Sequence, residues 1–356
     1  MAIQTPTTPM HHPNLVDGTR RHILDLDDFS PEEIELVMAT TDAMGEVLGR
    51  EIKKVPTLRG KVIVTLFYEA STRTRVSFEE AGKLLSADVI NVSSSGSSVE
   101  KGESLLNTVR TLQATGADLI VVRHPHSGAP YFMARNLERT SVINGGDGWH
   151  AHPSQALLDL YTIRQHRGSI SGAKVVIVGD ILHSRVARSN LWGLTAAGAH
   201  VVLCAPPTLL PQEFLDGSYR EDPDSSGLAS VEVTFNVEEA IQDADVVMPL
   251  RLQLERQQAG LLPTLREYSK MYQVDERRLK LARPGALVLH PGPMNEGIEI
   301  SPQVAHGAQS LIEEQVHNGV AVRMALLYLL VANKEGPPST AQDTPSGELP
   351  RRIRFL

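Results

Sequence analysis

The sequence contains one cysteine, Cys204, among 356 residues. A single thiol excludes an intrachain disulfide, and the apolar setting VVLCA predicts a small core residue rather than a reactive group. No apolar run has the roughly 20 residues of a transmembrane helix, and the N-terminus lacks the apolar stretch of a signal peptide. We therefore expect a protein of the reducing cytoplasm that does not bind membranes.

An excess of basic residues is also missing, because 34 Lys and Arg face 42 Asp and Glu, a formal net charge of -8. This balance argues against nucleic acid as a partner, although it allows local basic pockets. The pattern G-x-G-x-x-G does not follow the strand-like run KVVIV, where Gly179 and Asp180 stand instead, which argues against a nicotinamide cofactor. His11 and His12 have no partner at ligand spacing, so we expect neither a metal nor a cofactor.

Strand-length apolar runs alternate with helix-length segments along the chain. Strands are predicted at 61–66, 88–92, 118–122 and 141–144, and in a second series at 174–178, 200–203, 245–248 and 286–289. Helices are predicted from about residue 71 onward and at 103–114, 155–166, 188–197 and 315–332. Such alternation is typical of parallel sheets covered by helices, and two series predict two α/β domains joined near residues 150–170.

The segment FYEASTRTR, residues 67–75, is predicted to run from a buried strand into a helix. Ser71, Thr72, Arg73 and Thr74 then lie at a helix N-terminus, where free N–H groups and the helix dipole favour an anion. The hydroxyls add donors, and the planar Arg73 guanidinium suits phosphate. A phosphate or phosphate-ester site is one interpretation, and ordinary helix capping by Ser and Thr is the other.

Further polar residues follow the other predicted strands, beyond whose carboxyl ends ligands bind. Arg123 follows DLIVV and can grip phosphate or polarise a carbonyl. His152 and Gln155 share a helix face and can bond a carbonyl oxygen and an amide, although His152 alone would be interpreted as a cap. Lys101 follows a Ser/Gly-rich loop, residues 93–98, and is either a reaching cation or a solvated lysine.

Three more clusters complete the set of candidates. Arg185 near a helix start suits a carboxylate, and Arg251 and Gln253 lie on one side of an extended segment. In HPGP, residues 290–293, two prolines remove amide donors and leave carbonyls that can accept from an –NH2 group. Because the sequence shows no nucleophile–base pair, it predicts group transfer by positioning and electrostatics rather than through a covalent intermediate.

The runs FYEASTRTR, KGES, RHP, HPSQALLD, GD with a following Arg, and HPGP occur in this order. In these motifs, and over roughly residues 20–333, the chain resembles the catalytic chains of the aspartate carbamoyltransferase family within the transcarbamoylase superfamily. Glu69 before STRTR, the Arg251–Gln253 pair, and the absence of the cysteine that ornithine enzymes carry in H-C-L-P favour aspartate as acceptor.

Two positions depart from the family pattern. Gly292 stands where some aspartate enzymes carry Leu, and only its backbone carbonyl is expected to act. Val186 stands where some members carry Thr, which removes one potential hydrogen bond to substrate.

The resemblance implies two Rossmann-like domains, each a parallel sheet flanked by helices, with the active site in the interdomain cleft. Residues 21–153 with 316–333 would form the carbamoyl-phosphate-binding domain, and residues 154–315 the aspartate-binding domain. The ends, 1–20 and 334–356, are predicted to be flexible tails because they are rich in Thr, Pro, Ser and His without periodicity.

The resemblance also implies the reaction. Carbamoyl phosphate binds first, the amine of L-aspartate attacks its carbonyl carbon, and N-carbamoyl-L-aspartate and phosphate form, an early step of pyrimidine synthesis. The implied carbamoyl-phosphate site comprises Ser71, Thr72, Arg73, Thr74, Ser97, Lys101, Arg123, His152, Gln155, Pro291 and Gly292. The implied catalytic residues are Arg73, Thr74, Lys101, Arg123 and His152. The implied aspartate site comprises Lys101, Arg185, Arg251 and Gln253. Glu69 would pair with Arg185 and Arg256 to hold the closed state, with surface ion pairing as the alternative.

Assembly is implied by the resemblance alone. In this family Ser97 and Lys101 come from the neighbouring subunit, so we expect a homotrimer with shared sites, while regulatory chains or a dihydroorotase partner stay open. Two alternatives also stay open: a transcarbamoylase for another amine such as ornithine, and a non-catalytic scaffold subunit. Inactive relatives would be expected to lose STRTR, HPSQ or the Lys101 loop, which this chain keeps.

Overall fold

The structure, a computed structural model, describes residues 13–93, 103–220, 228, 230–253 and 264–332. Within these ranges the chain forms two parallel sheets, one of four strands and one of five, with helices between the strands. The predicted α/β fold class is therefore confirmed. Among the described residues, no helix combines the length and the apolarity that crossing a membrane requires.

The first sheet has the strand order β2-β1-β3-β4. The elements of this half are, in chain order, α1 Pro31–Leu48, β1 Val62–Phe67, α2 Thr72–Leu84, β2 Asp88–Ser93, α3 Leu105–Ala114, β3 Leu119–His124, α4 Ala129–Arg135, β4 Ser141–Asp147 and α5 Pro153–Arg167. The central strands β1 and β3 pair Ile63 with Leu119, and both side chains are fully buried. Burial on both faces explains why these strands are continuous apolar runs in the sequence.

The second sheet has the strand order β7-β6-β5-β8-β9. Its half contains β5 Lys174–Val178, α6 Arg185–Ala196, β6 His200–Cys204, α7 Gln212–Asp216, β7 Glu232–Thr234, α8 Val237–Ile241, β8 Val246–Pro249, α9 Leu265–Tyr272, α10 Glu276–Leu279, β9 Leu287–Val288, α11 Pro302–Ala305 and α12 Ile312–Val331. Cys204 is a free, buried thiol, and burial raises its pKa to about 12, in agreement with the predicted core role.

The last helix, α12, returns to the first half of the molecule. It packs against α1, α2 and α5 and buries apolar side chains such as Val322 and Leu326. Arg323 in the middle of this helix is also buried, and one of its guanidinium nitrogens donates to Ser77 Oγ on α2 at 3.0 Å. The final segment of the chain therefore completes the helical layer beside the first sheet.

The predicted set lacks strand β7 and the helices α1, α4 and α7 to α11. Helix α1 begins with a capping box, in which Ser30 Oγ accepts from the Glu33 N–H and the Glu33 carboxylate accepts from the Ser30 N–H. Pro31 occupies the first turn, so the run Ser-Pro-Glu-Glu was a readable signal. Strand β7 has three residues, which is too short for a periodicity to show.

Helix α6 begins earlier than predicted. The prediction placed it from residue 188, whereas it starts at Arg185 because Ser184 Oγ caps it by accepting from the Ala187 N–H at 3.1 Å. This earlier start fixes Arg185 in the first turn of a helix rather than in a loop.

Candidate active site

A cavity of about 550 Å³ lies beyond the carboxyl ends of strands from both sheets. The predicted site residues that line it are Glu69, Ser71, Thr72, Arg73, Thr74, Arg123, His152, Gln155, Arg185, Arg251, Gln253, Pro291 and Gly292. The structure thus brings together the predicted site residues that it describes. Ser97, Lys101 and Arg256 fall outside the described residues.

The start of α2 contributes hydroxyl and guanidinium groups to this cavity. Ser71 is the N-cap residue in an extended conformation, and its side chain makes no capping hydrogen bond. The capping interpretation therefore does not account for this serine. Partial desolvation and the positive charge of Arg251 lower the pKa of the Arg73 guanidinium. A helix N-terminus beside two guanidinium groups is an environment that favours a phosphate.

His152 occupies the N-cap position of α5 but makes no capping bond with its side chain. The ring is buried, its Nε2 lies 3.4 Å from Thr74 Oγ1, and its Nδ1 has no hydrogen-bond partner in the described part of the chain. Burial, followed by the positive charges of Arg123 and Arg185, holds the pKa of His152 well below 6.5. The imidazole is therefore neutral near pH 7 and can donate one N–H to a ligand oxygen.

Glu69 joins two arginines from different halves of the chain. Its Oε1 accepts from Arg123 at 2.5 Å and from Arg185 at 2.8 Å, and its Oε2 accepts a further bond from Arg185 at 3.3 Å. Both guanidiniums also donate to main-chain carbonyls, Arg123 to Gly145 and Arg185 to Gly148. The two cations are thereby fixed side by side at the cavity wall, with one carboxylate between them.

Gly146, at the end of β4, makes this close approach of the arginines feasible. Its φ is +115°, and a Cβ built there would lie 3.0 Å from Arg185 Cζ and 3.1 Å from an Arg123 terminal nitrogen. Only glycine adopts such a φ without strain and leaves that space open. The sequence analysis did not single out this residue, although the run Asn-Gly-Gly-Asp-Gly at 144–148 was a visible signal.

The second sheet contributes Arg251 and Gln253 from the segment after β8. An Arg251 guanidinium nitrogen donates to Gln253 Oε1 at 3.0 Å. The Gln253 N–H donates to Asp180 Oδ2 at 3.1 Å, and Asp180 also contacts the His183 ring at 2.8 Å. The two predicted aspartate ligands are thus held together, and the segment that follows β5 fixes the backbone of Gln253.

The HPGP segment follows β9 and turns back against the cavity. The Gly292 N–H donates to His290 Nδ1 at 2.8 Å, and the Gly292–Pro293 peptide bond is cis. Gly292 has φ +62°, and a Cβ there would lie 3.0 Å from Arg73 Cζ. The glycine that departs from the family pattern therefore stands directly against the phosphate-side arginine.

The residues that line or support the cavity without having been predicted include Arg323, Gln315 and Asp159. Arg323 and Gln315 of α12 line it, and burial lowers the pKa of Arg323 to about 10. Asp159 of α5 is fully buried behind it. An arginine inside the apolar run VAVRMALLYLLV was a readable signal, because a charge in a buried helix face needs a partner or a function.

Chemically, this arrangement can bind a phosphate, polarise an adjacent carbonyl and hold a dianionic second substrate. In the described residues, no group of three or more His, Cys, Asp or Glu side chains could hold a metal ion. The groups that converge include guanidiniums, hydroxyls, amides, the Glu69 carboxylate and the neutral imidazole of His152, and such groups act by positioning and electrostatics.

Comparison with known proteins agrees with this geometry. Residues 21–165 match the family model "Aspartate/ornithine carbamoyltransferase, carbamoyl-P binding domain", and residues 171–330 match the model of the Asp/Orn binding domain. A solved aspartate transcarbamoylase from Trypanosoma cruzi, in complex with carbamoyl phosphate and aspartate, is similar with a TM-score of 0.78 and 28% identity over 90% of this chain and 98% of that chain. An ornithine carbamoyltransferase from Pyrococcus furiosus is similar with a TM-score of 0.77 and 30% identity over 87% and 97%.

The chain therefore belongs to the aspartate/ornithine carbamoyltransferase family. Within it, the chain is 64% identical over 312 residues to an aspartate carbamoyltransferase catalytic subunit from Roseiflexus sp. (strain RS-1), covering 87% of this chain and 95% of that one. It is 55% identical over 334 residues to the corresponding subunit of Dehalococcoides mccartyi, covering 93% and 98%. The resemblance to aspartate carbamoyltransferase catalytic chains, stated from the motifs, is confirmed.

Proposed function

We propose that this protein transfers the carbamoyl group of carbamoyl phosphate to the amine of L-aspartate, giving N-carbamoyl-L-aspartate and phosphate. The observation that carries the proposal is the cavity, where an anion-binding helix start, arginines from both halves and a neutral histidine converge. The aspartate carbamoyltransferase relatives and the solved complex with carbamoyl phosphate and aspartate support it. A scaffold subunit has no need to keep these groups together.

Carbamoyl phosphate is bound through its phosphate at the start of α2. The hydroxyls and N–H groups of Ser71, Thr72 and Thr74 surround the phosphate, and Arg73 and Arg123 neutralise it. The extended Ser71 and its uncommitted hydroxyl support this assignment, because a capping serine would be engaged with its own helix.

The carbamoyl group of carbamoyl phosphate is held by two sets of groups, donors for its oxygen and acceptors for its –NH2. Thr74, Arg123 and His152 polarise its oxygen, since all three line the cavity and His152 Nε2 is close to Thr74 Oγ1. The Gln155 side chain and the main-chain carbonyls of Pro291 and Gly292 accept from its –NH2 group. A neutral imidazole suits this role because it donates an N–H to an oxygen that gains negative charge in the transition state.

L-Aspartate then binds through its carboxylates to Arg185, Arg251 and Gln253, with Lys101 assisting. Arg185 lies in the first turn of α6 and Arg251 beyond β8, so the two guanidiniums can hold a dicarboxylate between them. Glu69 pairs with Arg185 and, when the domains close, with Arg256. This closure role is supported by the position of Glu69 between Arg123 and Arg185.

The reaction needs no covalent intermediate on the protein. The aspartate nitrogen forms a bond to the carbamoyl carbon while the bond from that carbon to the phosphate oxygen breaks. The departing phosphate takes the proton that the amine loses. The protein contributes charge neutralisation of the phosphate, polarisation of the carbonyl and exclusion of water.

The assembly and setting belong to the same proposal. The active unit is a cytoplasmic homotrimer in pyrimidine biosynthesis, in which Ser97 and Lys101 complete the neighbouring site. Residues 21–153 with 316–333 form the carbamoyl-phosphate domain, supported by the packing of α12 on α1, α2 and α5, and residues 154–315 form the aspartate domain. Mixing inactive Lys101→Ala and His152→Ala chains should restore activity after subunit exchange, and no recovery would contradict shared sites.

The test is carbamoyl transfer by the purified chain, with L-aspartate and, separately, L-ornithine as acceptor. We expect carbamoyl-aspartate without any added partner. The His152→Asn variant should lose most of this activity, whereas His306→Asn should keep it, because His306 is an exposed residue paired with Glu296. Citrulline formation would overturn the aspartate assignment, and no product with either amine would overturn autonomous catalysis.

A further inference from the structure

Asp159, on α5, is a buried carboxyl group behind the active-site cavity. Its exposed fraction is 0%, and three side-chain amides donate to it from three helices. Asp159 Oδ1 accepts from Gln155 at 2.9 Å and from Gln315 at 2.7 Å, and Oδ2 accepts from Asn190 at 2.9 Å. These hydrogen bonds satisfy the buried carboxyl group and also connect it to the active site, because two of the donors are residues of the cavity wall.

The first consequence concerns the orientation of the Gln155 amide. An ionised carboxylate can only accept hydrogen bonds, so Gln155 must turn its Nε2 toward Asp159. The Oε1 of Gln155 is then the atom that this residue can present to the cavity. The orientation follows from the chemistry of the partner, and a Gln whose amide were free to flip would offer a donor or an acceptor equally well.

The second consequence concerns the HPGP segment. Gln315 donates through Nε2 to Asp159 and accepts through Oε1 from the His290 N–H at 2.9 Å. His290 begins the segment whose next residues, Pro291 and Gly292, line the cavity and carry the main-chain carbonyls proposed to accept from the carbamoyl –NH2. Asp159 therefore fixes the amide oxygen of Gln155 directly and anchors the HPGP carbonyls through one intermediate.

Two opposing effects set the charge state of Asp159. Burial raises its pKa to about 7, while the three amide donors and the nearby Arg323 act in the opposite direction. Arg323, itself buried in α12, is the charged group that faces Asp159, and its pKa is lowered to about 10 by burial. The three amides all donate to Asp159, so they favour its ionised, accept-only form, which predominates above about pH 7.

We propose that Asp159 is a positioning residue that determines substrate specificity. It orients the acceptor oxygens of the amide side of the cavity, and these acceptors select a carbamoyl –NH2 over the methyl group of an acetyl group. The proposal rests on the carbamoyl-transfer function above and names the device by which the site recognises its first substrate. A site built to hydrogen-bond an NH group discriminates strongly against an analogue that lacks it.

The test compares carbamoyl phosphate with acetyl phosphate, which keeps the phosphate and the carbonyl but carries CH3 in place of NH2. Dissociation constants of both are measured on the whole protein, wild type and Asp159→Asn. Asn keeps one acceptor oxygen and places an Nδ2 donor in the position of the other, so the three amides can no longer all donate to residue 159. We expect binding of carbamoyl phosphate to weaken about tenfold and binding of acetyl phosphate to change less than about twofold.

The matched control is Asn318→Ala. Asn318 joins α12 to α5 in the same way, by donating to Thr162 Oγ1 at 3.1 Å and to Gln165 Oε1 at 2.8 Å, but it does not line the cavity. Its loss should lower stability while the ratio of the two dissociation constants stays at the wild-type value. An Asp159→Asn protein that behaves like this control, with lower stability and an unchanged ratio, would show a structural role only.

A double-mutant comparison makes the mechanism explicit. Gln155→Met removes the side-chain acceptor itself. When Asp159→Asn is added to it, the ratio of the two dissociation constants should change only by the effect that Asp159 exerts through Gln315 and HPGP. Full additivity of the two effects would overturn the proposal. If Asp159→Asn folds poorly, Gln315→Met cuts the same chain of contacts at its other end, and an unchanged ratio there counts equally against it.

Failure of this inference is distinct from failure of the proposed function. Wild-type protein that forms no carbamoyl-aspartate overturns the function. Active wild-type protein whose Asp159 and Gln315 variants keep the wild-type preference for carbamoyl phosphate overturns the role of Asp159 alone.

Discussion

Two sides of the cavity are built on different physical principles. The arginine wall consists of Glu69, Arg123 and Arg185 and is held by charge pairs. Both guanidiniums pair with the single carboxylate of Glu69. The amide wall, consisting of Gln155, Asp159, Gln315 and His290, is held by a buried carboxylate whose donors are all neutral amides.

This difference predicts which of the two walls rearranges when substrates bind. A substrate carboxylate or phosphate offers the same kind of charge as Glu69, so it can take over a guanidinium with little loss of interaction energy. The amide wall offers no such exchange, because removing a donor from a buried carboxylate leaves one of its acceptor positions without a hydrogen bond. We expect the arginine wall to rearrange when substrates bind and the amide wall to stay as it is.

The largest effect should come from removing a cation of the arginine wall. Arg123→Leu deletes a proposed contact to the phosphate and the carbonyl oxygen and removes one of the two guanidiniums that bridge through Glu69. We expect kcat/KM to fall about a thousandfold. Arg283→Leu serves as control, because Arg283 is an exposed residue paired with Asp245 away from the cavity. A loss below about tenfold for Arg123→Leu would show that this arginine is not a main contact in the transition state.

The next effect tests whether Glu69 controls closure. Glu69→Ala removes the carboxylate between Arg123 and Arg185, so affinity for aspartate and turnover should fall together by about tenfold, with a smaller change for carbamoyl phosphate. Steady-state kinetics with each substrate varied in turn measures this. Glu69→Gln, which keeps hydrogen bonds without charge, should fall between wild type and Ala. Unchanged aspartate affinity and turnover would rule out the closure role.

A smaller effect probes how tightly the arginine wall is packed. Gly146→Ala forces a side chain into a φ of +115° and against both guanidiniums, so we expect a loss of about 2 kcal/mol in the free energy of unfolding and weaker binding of both substrates. Gly60→Ala is the control, since Gly60 also has a positive φ, +81°, but open space around it. Equal effects of the two substitutions on substrate binding would contradict the packing argument.

The smallest effect concerns His152, where the two walls meet. Its pKa is depressed in the folded protein, so between about pH 6.5 and the lower folded value the unfolded chain binds a proton that the native state does not. Stability must therefore fall as the pH falls, by up to about 1.4 kcal/mol per pH unit. Denaturant unfolding at pH 7.5 and at pH 5.5 measures this effect. Between these pH values, the free energy of unfolding should fall by about 1.4 kcal/mol less in His152→Gln than in the wild type. His306→Gln should behave like the wild type.

The sheets could be predicted because their central strands are apolar on both faces. Runs such as KVIVTL and KVVIV stand out in the sequence, and the polar groups after them meet because parallel strands share one carboxyl edge. For the same reason predicted site residues that lie far apart in the chain, such as Arg73 and Arg251, line one cavity.

The supporting contacts could not be predicted, because no local pattern encodes them. Glu69 and Arg123 pair across 54 residues, and Asp159 and Gln315 across 156. In the sequence Asp159 is merely one polar residue of the helical run HPSQALLD. Its meaning depends on which amides the fold brings to it, and that requires the packing of α5, α6 and α12.

The return of α12 to the first half has a consequence for biosynthesis. A chain that leaves the ribosome from its N-terminus carries Ser71 to Thr74 and His152 long before it carries Arg323 and Gln315, which line the same cavity. The surfaces of α1, α2 and α5 that pack against α12 are covered only after α12 has been synthesised. The wall of the cavity is therefore complete only after α12 has been synthesised and has packed against the first half of the chain.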